Sequence, residues 1–263
     1  MQLMRLQVNF HRVNHIFISH LHGDHYLGLM GLIFTMHLQR RTNDLHIYSH
    51  RGLDEIITTQ LRYSRSSPLF KIVFHRLEKG VREIIFEDEA LEIETIPLSH
   101  KIRCSGFLFR EKAKPRRIDK SRLPEGLPLL QIANLKKGDD IVADDGTVLY
   151  KNEALTFDPR KSRTYAYCSD TAFDAGYVDQ IRNIDILYHE ATFIDSDQVK
   201  ATETMHSTAK QAAHVATMAN VQLLLIGHFS ARYKELAPIL EEAISVFKNT
   251  KLAVEGEEFT IDD

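Results

Sequence analysis

The sequence predicts a layered α/β body, with two sheets in the middle and helices outside. Three observations carry this reading. Short apolar strands alternate with helical patterns in both halves of the chain. A turn crowded with imidazoles and a carboxylate directly follows one of the first strands. At 263 residues and 43 % hydrophobic, the chain can bury a sizeable core as one domain, or as a domain with an appendage.

In chain order, residues 1–8 read as a helix already under way, with Leu3, Met4, Leu6 and Val8 apolar and no cap before them. Residues 15–19 form a strand around Ile16, Phe17 and Ile18, and a helix runs from 27 to about 39. A strand over 45–48 precedes a helix from 51 to about 63. Residues 72–77 and 84–86 are strand-like. Residues 91–96 alternate as a half-exposed strand should, and 106–109 make a short strand.

The texture changes between Glu111 and about Asp158. Periodicity fails there, and Pro115, Pro124, Pro128, Gly126, Gly138 and Gly146 punctuate the segment. Its entry, residues 110–122, carries an excess of five positive charges, whereas Asp139-Asp140 and Asp144-Asp145-Gly146 are acidic and turn-like. Such an insertion is either a solvated loop or an arm that reaches a polyanion. Regular structure resumes with a strand over 164–168, a helix around 177–182 and a strand over 185–189. A helix over 208–220, a buried strand over 223–226 and a helix over 236–248 follow. A strand pair at 252–254 and 259–261 closes the chain.

A net charge of −3 excludes a wholly basic surface. Cys104 and Cys168 are far apart and without a partner motif, which gives no disulfide framework and fits a reducing cytoplasm. No apolar run approaches the ~18 residues of a membrane span, and the N-terminus lacks a signal-peptide core.

The densest chemistry lies in Ser19-His20-Leu21-His22-Gly23-Asp24-His25. His20 and His22, two apart, point the same way on an extended chain. Asp24 and His25, past Gly23, can turn towards a second ion. Imidazole and carboxylate together suit zinc or a similar borderline metal. A lone histidine in a turn is ordinary, but four ligand-type residues within six beside a strand are not. His100, Asp170 and His228 each supply the first strong ligand after an apolar strand, where α/β sheets place their sites. His11, His15, His37, His46, His50, His75, His189 and His214 take structural readings, with His189 a neighbour of Glu190.

The order His-x-His-x-Asp-His resembles the signature of the metallo-β-lactamase superfamily. Four further boxes narrow the resemblance: His189-Glu190-Ala191-Thr192, His206-Ser207-Thr208, Pro159-Arg160-Lys161-Ser162-Arg163 and His228-Phe229-Ser230-Ala231-Arg232-Tyr233. In combination they resemble the tRNA 3′-processing endonucleases of the ribonuclease Z family.

That resemblance implies a four-layer αββα sandwich in one domain, 1–263, with 111–157 as an inserted tRNA-binding arm. It implies two zinc ions per subunit, with manganese or another divalent metal as the alternative. His20, His22 and His100 would hold one ion, Asp24, His25 and His228 the other, and Asp170 would bridge. Asp24 is then also the general base, and His206, supported by Glu190, the proton donor to the leaving 3′ oxygen. Lys161, Arg163 and Arg232, expected on loops beside the ligands, and Arg116 and Arg117 in the arm entry, suit RNA phosphate. The implied substrate is a tRNA precursor, and the implied assembly a cytoplasmic homodimer that engages no membrane.

The family starts with a β-hairpin and an Asp-Cys-Gly-Glu-like strand before the helix at which this sequence opens. The expectation is therefore an N-terminally incomplete sandwich with an exposed sheet edge. Two alternatives stay open: another superfamily hydrolase (phosphodiesterase, lactonase or thiolesterase), and an inactive RNA-binding relative.

Overall fold

A computed structural model describes residues 2–143 and 145–261. Met1 of the opening helix and Asp144 of the acidic turn lie outside the described residues.

After a single helical turn, α1 (Gln2–Arg5), the first half alternates as expected: β1 (His15–Phe17), α2 (Gly23–Leu38), β2 (Leu45–Ser49), α3 (Leu53–Tyr63) and β3 (Ile72–Arg76). The three strands form a parallel sheet in the order β1-β2-β3, with His15 opposite His46 and Leu45 opposite Ile72. Parallel neighbours require crossovers, which α2 and α3 supply. Both helices turn their apolar stripes to the sheet: Met30, Ile33 and Met36 from α2 and Leu53 and Ile57 from α3 bury against Leu45 and Ile47.

Next come β4 (Ile84–Glu87), β5 (Leu91–Pro97) and β6 (Ser105–Glu111). The segment that follows is not irregular. It folds as β7 (Arg117–Ile118), α4 (Leu129–Lys137), β8 (Ile141–Val142), β9 (Val148–Tyr150), α5 (Asn152–Leu155) and β10 (Thr156–Phe157). Leu135, Ile141 and Leu155 make a small core of their own with Ile118, Leu123 and Leu127. The buried Asn152 amide ties α5 to the Leu135 and Asp139 carbonyls at 2.8 and 2.9 Å, and Gly138 ends α4 in the left-handed region at φ 107°. Strands of two or three residues carry too little periodicity to be read from sequence.

The chain finishes with β11 (Thr164–Cys168), β12 (Ile186–Glu190), α6 (Gln198–Thr204), α7 (Ala209–Ala219), β13 (Leu223–Gly227), α8 (Ala237–Val246) and β14 (Thr250–Leu252). Among the described residues the large sheet has the order β14-β13-β12-β11-β6-β5-β4. Its outer face is covered by α7, whose Ala209, Ala212, Ala213, Ala216 and Ala219 let it approach closely, and by α8 through Ile239 and Ala243. Its inner face meets the small sheet across Tyr48, Leu77, Ile93 and Phe107, with Phe17 stacked on Tyr48 at 4.6 Å. The result is helices, sheet, sheet, helices.

Four readings need correction. The opening helix is one short turn, because too few residues bury to propagate it. β5 is largely buried rather than half-exposed, since it lies between β4 and β6 with a sheet against it. Residues 178–181 form a 3₁₀ turn in place of a helix. At the C-terminus β14 joins β13 in parallel, and 259–261 form no strand. β1 stands at one edge of its sheet.

Candidate metal centre

β1 ends at Phe17 and α2 begins at Gly23, so His20 and His22 occupy the extended link between them. His22 is the residue before the helix, at φ −74° and ψ 146°, and the first helical turn then brings the exposed Asp24 and the more buried His25 to the cluster. β5, β11 and β13 run in the same direction through their ladders, so the loops after them leave one edge of the large sheet. His100, Asp170 and His228 sit on those loops. Asp170 (φ 61°) and His228 (φ 58°) both hold the left-handed backbone that L residues seldom adopt. Such strain persists only where the surroundings impose it, and here it aims two candidate ligands.

The side chains meet in two adjoining sets. His22 Nδ1 lies 3.0 Å from His20 Nε2 and 3.2 Å from His100 Nε2. Asp24 Oδ2 lies 3.4 Å from His25 Nε2 and 3.6 Å from His228 Nε2. Asp170 touches both sets, its Oδ2 at 3.4 Å from His20 and from His25 and its Oδ1 at 3.2 Å from His228. All seven residues fall into groups able to hold a metal ion.

Three imidazole nitrogens facing one point cannot all be satisfied by protons. Ligands 2.0–2.1 Å from a tetrahedral zinc stand about 3.3 Å apart, which is the spacing here. His25 Nε2 is a buried nitrogen without a hydrogen-bond partner, and it faces the Asp24 and Asp170 carboxylates. Burial lowers the pKa of His22 and His100 and so favours the neutral form that a metal requires. Against burial, Asp170 raises His25, and the His20 and His25 rings, each 3.4 Å from its carboxylate, hold Asp170 well below the usual carboxylate range. The residues present fit a pair of divalent cations.

Outer contacts fix the imidazoles. The Met205 carbonyl can only accept, so His100 Nδ1 donates to it at 3.0 Å and leaves Nε2 for the cluster. Ser19 Oγ holds His20 Nδ1 at 3.1 Å. Thr192 closes the His189-Glu190-Ala191-Thr192 box but was given no role from the sequence; its hydroxyl donates to Glu190 Oε2 at 2.5 Å and meets His228 Nδ1 at 2.9 Å. Its place in that box, two residues beyond Glu190, was the signal that could have found it.

His206 borders the cluster, stacked on His228 with ring centroids 5.4 Å apart. Its Nδ1 donates to Glu190 Oε1 at 2.7 Å. Glu190 is fully buried and also accepts from the Thr171 N–H at 2.8 Å. Burial opposes the charged imidazole, but the Glu190 carboxylate outweighs it and raises the His206 pKa.

The chain's residues 2–117 match the model of the beta-lactamase superfamily domain. It is 46 % identical to "Ribonuclease Z" of Bacteroides fragilis over 257 residues, covering 97 % of this chain and 84 % of that protein. The chain belongs to the ribonuclease Z family. A second family member, from Cytophaga hutchinsonii, is 47 % identical over 241 residues, covering 92 % of this chain and 77 % of its own length. The fold is the metallo-β-lactamase fold. The crystal structure of human tRNase Z, short form, superposes with a TM-score of 0.69 over 99 % of this chain and 84 % of its own, at 24 % identity.

Two cations expected beside the cluster lie elsewhere. Lys161 and Arg163 precede β11 whereas Asp170 follows it, so a strand of five residues, about 17 Å, separates them from the cluster. Lys161 is bound to the buried Asp185, and Arg163 grips Glu111 at 2.5 and 3.0 Å. Both brace the base of the inserted segment. Arg116 pairs with Asp158 at 2.8 Å, and Arg117 lies over the Phe157 ring. Arg232 stays on the loop beside His228, over the Phe193 ring at 5.1 Å. No helix among the described residues is long and apolar enough to cross a membrane.

Proposed function

We propose that this protein is a metal-dependent endoribonuclease that removes the 3′ trailer from tRNA precursors. The products are a tRNA with a 3′ hydroxyl and a trailer with a 5′ phosphate. The observation that carries the reading is the two-sided cluster with the His206–Glu190 pair at its rim, in a chain 46 % identical to a ribonuclease Z.

In this reading His20, His22 and His100 would hold one cation and Asp24, His25 and His228 the other, with Asp170 available to both. Two divalent ions, zinc being the best match to an imidazole-rich donor set, would neutralise the phosphodiester and acidify a water. The remaining work falls to protein groups. His206, whose protonated form the Glu190 carboxylate favours, donates to the leaving 3′ oxygen. Asp24, whose side chain is 67 % exposed at the cluster's mouth, takes the proton of the attacking water. Arg232 contacts a phosphate beside His228.

Segment 111–157 serves as the tRNA-gripping arm. Its root, Glu111, lies at the end of β6 opposite Ser105, whose N–H binds Ser19 beside the cluster. A strand of seven residues, about 23 Å, therefore separates arm root and cluster. That arrangement supports a homodimer in which one protomer's arm holds the RNA that its partner cuts. Two free, buried thiols support a cytoplasmic setting.

The test is to incubate purified, metal-analysed protein with a tRNA precursor and map the product ends. A 3′ hydroxyl at the end of the acceptor stem with a 5′-phosphorylated trailer is expected. A cut leaving a 3′ phosphate, or hydrolysis of thiolesters without any RNA cleavage, overturns the reading.

A further inference from the structure

β1, β2 and β3 run parallel, so their C-terminal ends share one edge of the small sheet. The metal centre grows from the end of β1. At the ends of β2 and β3 a cleft of about 300 Å³ opens between Arg51 and Arg76, above His50 and His75. Neighbouring strands stand about 4.8 Å apart, which places this cleft roughly 10 Å from the end of β1.

Its floor is continuous with the centre. His50 is buried; its Nδ1 donates to the Leu77 carbonyl at 3.2 Å and its Nε2 accepts from Ser105 Oγ at 3.1 Å. The Ser105 N–H in turn binds the Ser19 carbonyl at 3.0 Å. Lys101 and Arg103 follow His100 in the chain, Arg103 near enough to His50 to act on its charge and Lys101 likewise to His206. Arg51, Lys101 and Arg103 are exposed, and none makes an ion pair among the described residues. Arg76 has only a loose partner, Glu78 at 3.6 Å, with both side chains more than half exposed. Asp54, the acid in the cleft, accepts the Gly52 N–H at 3.2 Å. Lys161, Arg163 and Arg116, by contrast, are already bound to carboxylates. One unpaired and one loosely paired arginine in a concave, solvated cleft favour a ligand with several phosphates.

Given the reaction proposed above, we propose that the Arg51–Arg76 cleft, with Arg103 near its His50 floor, is a phosphate subsite for the RNA backbone downstream of the cut. The side follows from His206. His206 stacks on His228 from the large-sheet flank, so the leaving 3′ oxygen and the tRNA end belong there. The trailer then runs to the opposite flank, over the small sheet. The contacts are to phosphate, so the subsite accepts any base sequence.

The test uses a fluorescent, 5′-phosphorylated single-stranded RNA oligonucleotide and the full-length, metal-loaded protein in an anisotropy titration across salt concentrations. Arg51→Ala/Arg76→Ala is expected to lose about ten-fold in affinity and to flatten the log–log salt slope by roughly 1.4, or 0.7 per phosphate. The loss should be the same for oligonucleotides of different sequence. Arg51→Lys/Arg76→Lys, which keeps the charge, should retain the slope. Arg62→Ala, about 15 Å away at the far end of α3, should bind normally. On precursors, the double alanine variant should raise KM for a trailer of several nucleotides and spare one of a single nucleotide. Unchanged affinity and slope, an equal loss in Arg62→Ala, or a KM effect independent of trailer length overturns the subsite. An unmodified protein that binds the oligonucleotide but leaves the precursor whole overturns the reaction instead.

Discussion

Thr192→Val tests whether the contacts around the cluster, and not the ligands alone, set its metal affinity. Valine keeps the branched shape and removes one oxygen. Thr192 is 6 % exposed, so no bulk water replaces what is lost. The hydroxyl's bond to the Glu190 carboxylate, 2.5 Å, is charge-assisted, and its contact with His228 Nδ1 is 2.9 Å. Together they are worth about 2–4 kcal/mol, because each leaves a buried partner short of a bond. At about 3 kcal/mol the melting temperature of a 263-residue chain falls by about 5 °C. His228 also loses the bond that fixes its ring, which lowers affinity for the cation on the Asp24–His25–His228 side by about 10- to 100-fold. The assay is chelator competition with metal counting, beside thermal unfolding of the metal-free protein. Thr192→Ser keeps the oxygen and should restore both values. If the valine and serine variants are indistinguishable, the hydroxyl does not orient His228.

Three further outcomes are expected. His206→Ala should reduce precursor turnover by about 10²- to 10⁴-fold while metal content, measured by mass spectrometry, stays normal, because its Nδ1 is committed to Glu190; equal activity would discard the donor role. Glu111 is held down to about 2 by the Arg163 hydrogen bonds and by Lys114. A depressed carboxylate pKa stabilises the fold above the unfolded value near 4.5 and loses that contribution as pH falls towards 2. Glu111→Gln should therefore show a flatter stability curve between those limits in denaturant titrations, and an unchanged curve would sink the claim. Deleting residues 111–157 should abolish precursor cleavage and spare hydrolysis of a small phosphodiester, since the segment's core is separate from the other three. Retained tRNA cleavage would end the arm assignment.

Most of the layered body was legible because its elements repeat with a clear period. α2, β2, α3, β11, β12, α7 and β13 each carry an apolar pattern long enough to identify. The inserted segment defeated the same reasoning, because two-residue strands have no period and its order comes from a buried asparagine and three aliphatic side chains. β5 looked half-exposed because alternation records only which faces differ, not whether a second sheet covers the outer one.

The ligand types at strand ends and the boxes around Glu190, His206 and His228 were determined by the sequence alone, since they are local and their chemistry does not depend on what packs nearby. Which of them touch, and through which atom, was decided only in three dimensions. Thr192 became the link between Glu190 and His228 because parallel β12 and β13 bring their ends together. Lys161 and Arg163 moved from the cluster to the arm root because a strand has two ends, and a list of residues does not say on which one the chemistry lies. Position along a chain is one-dimensional, whereas an electrostatic site depends on which separate strands share an edge.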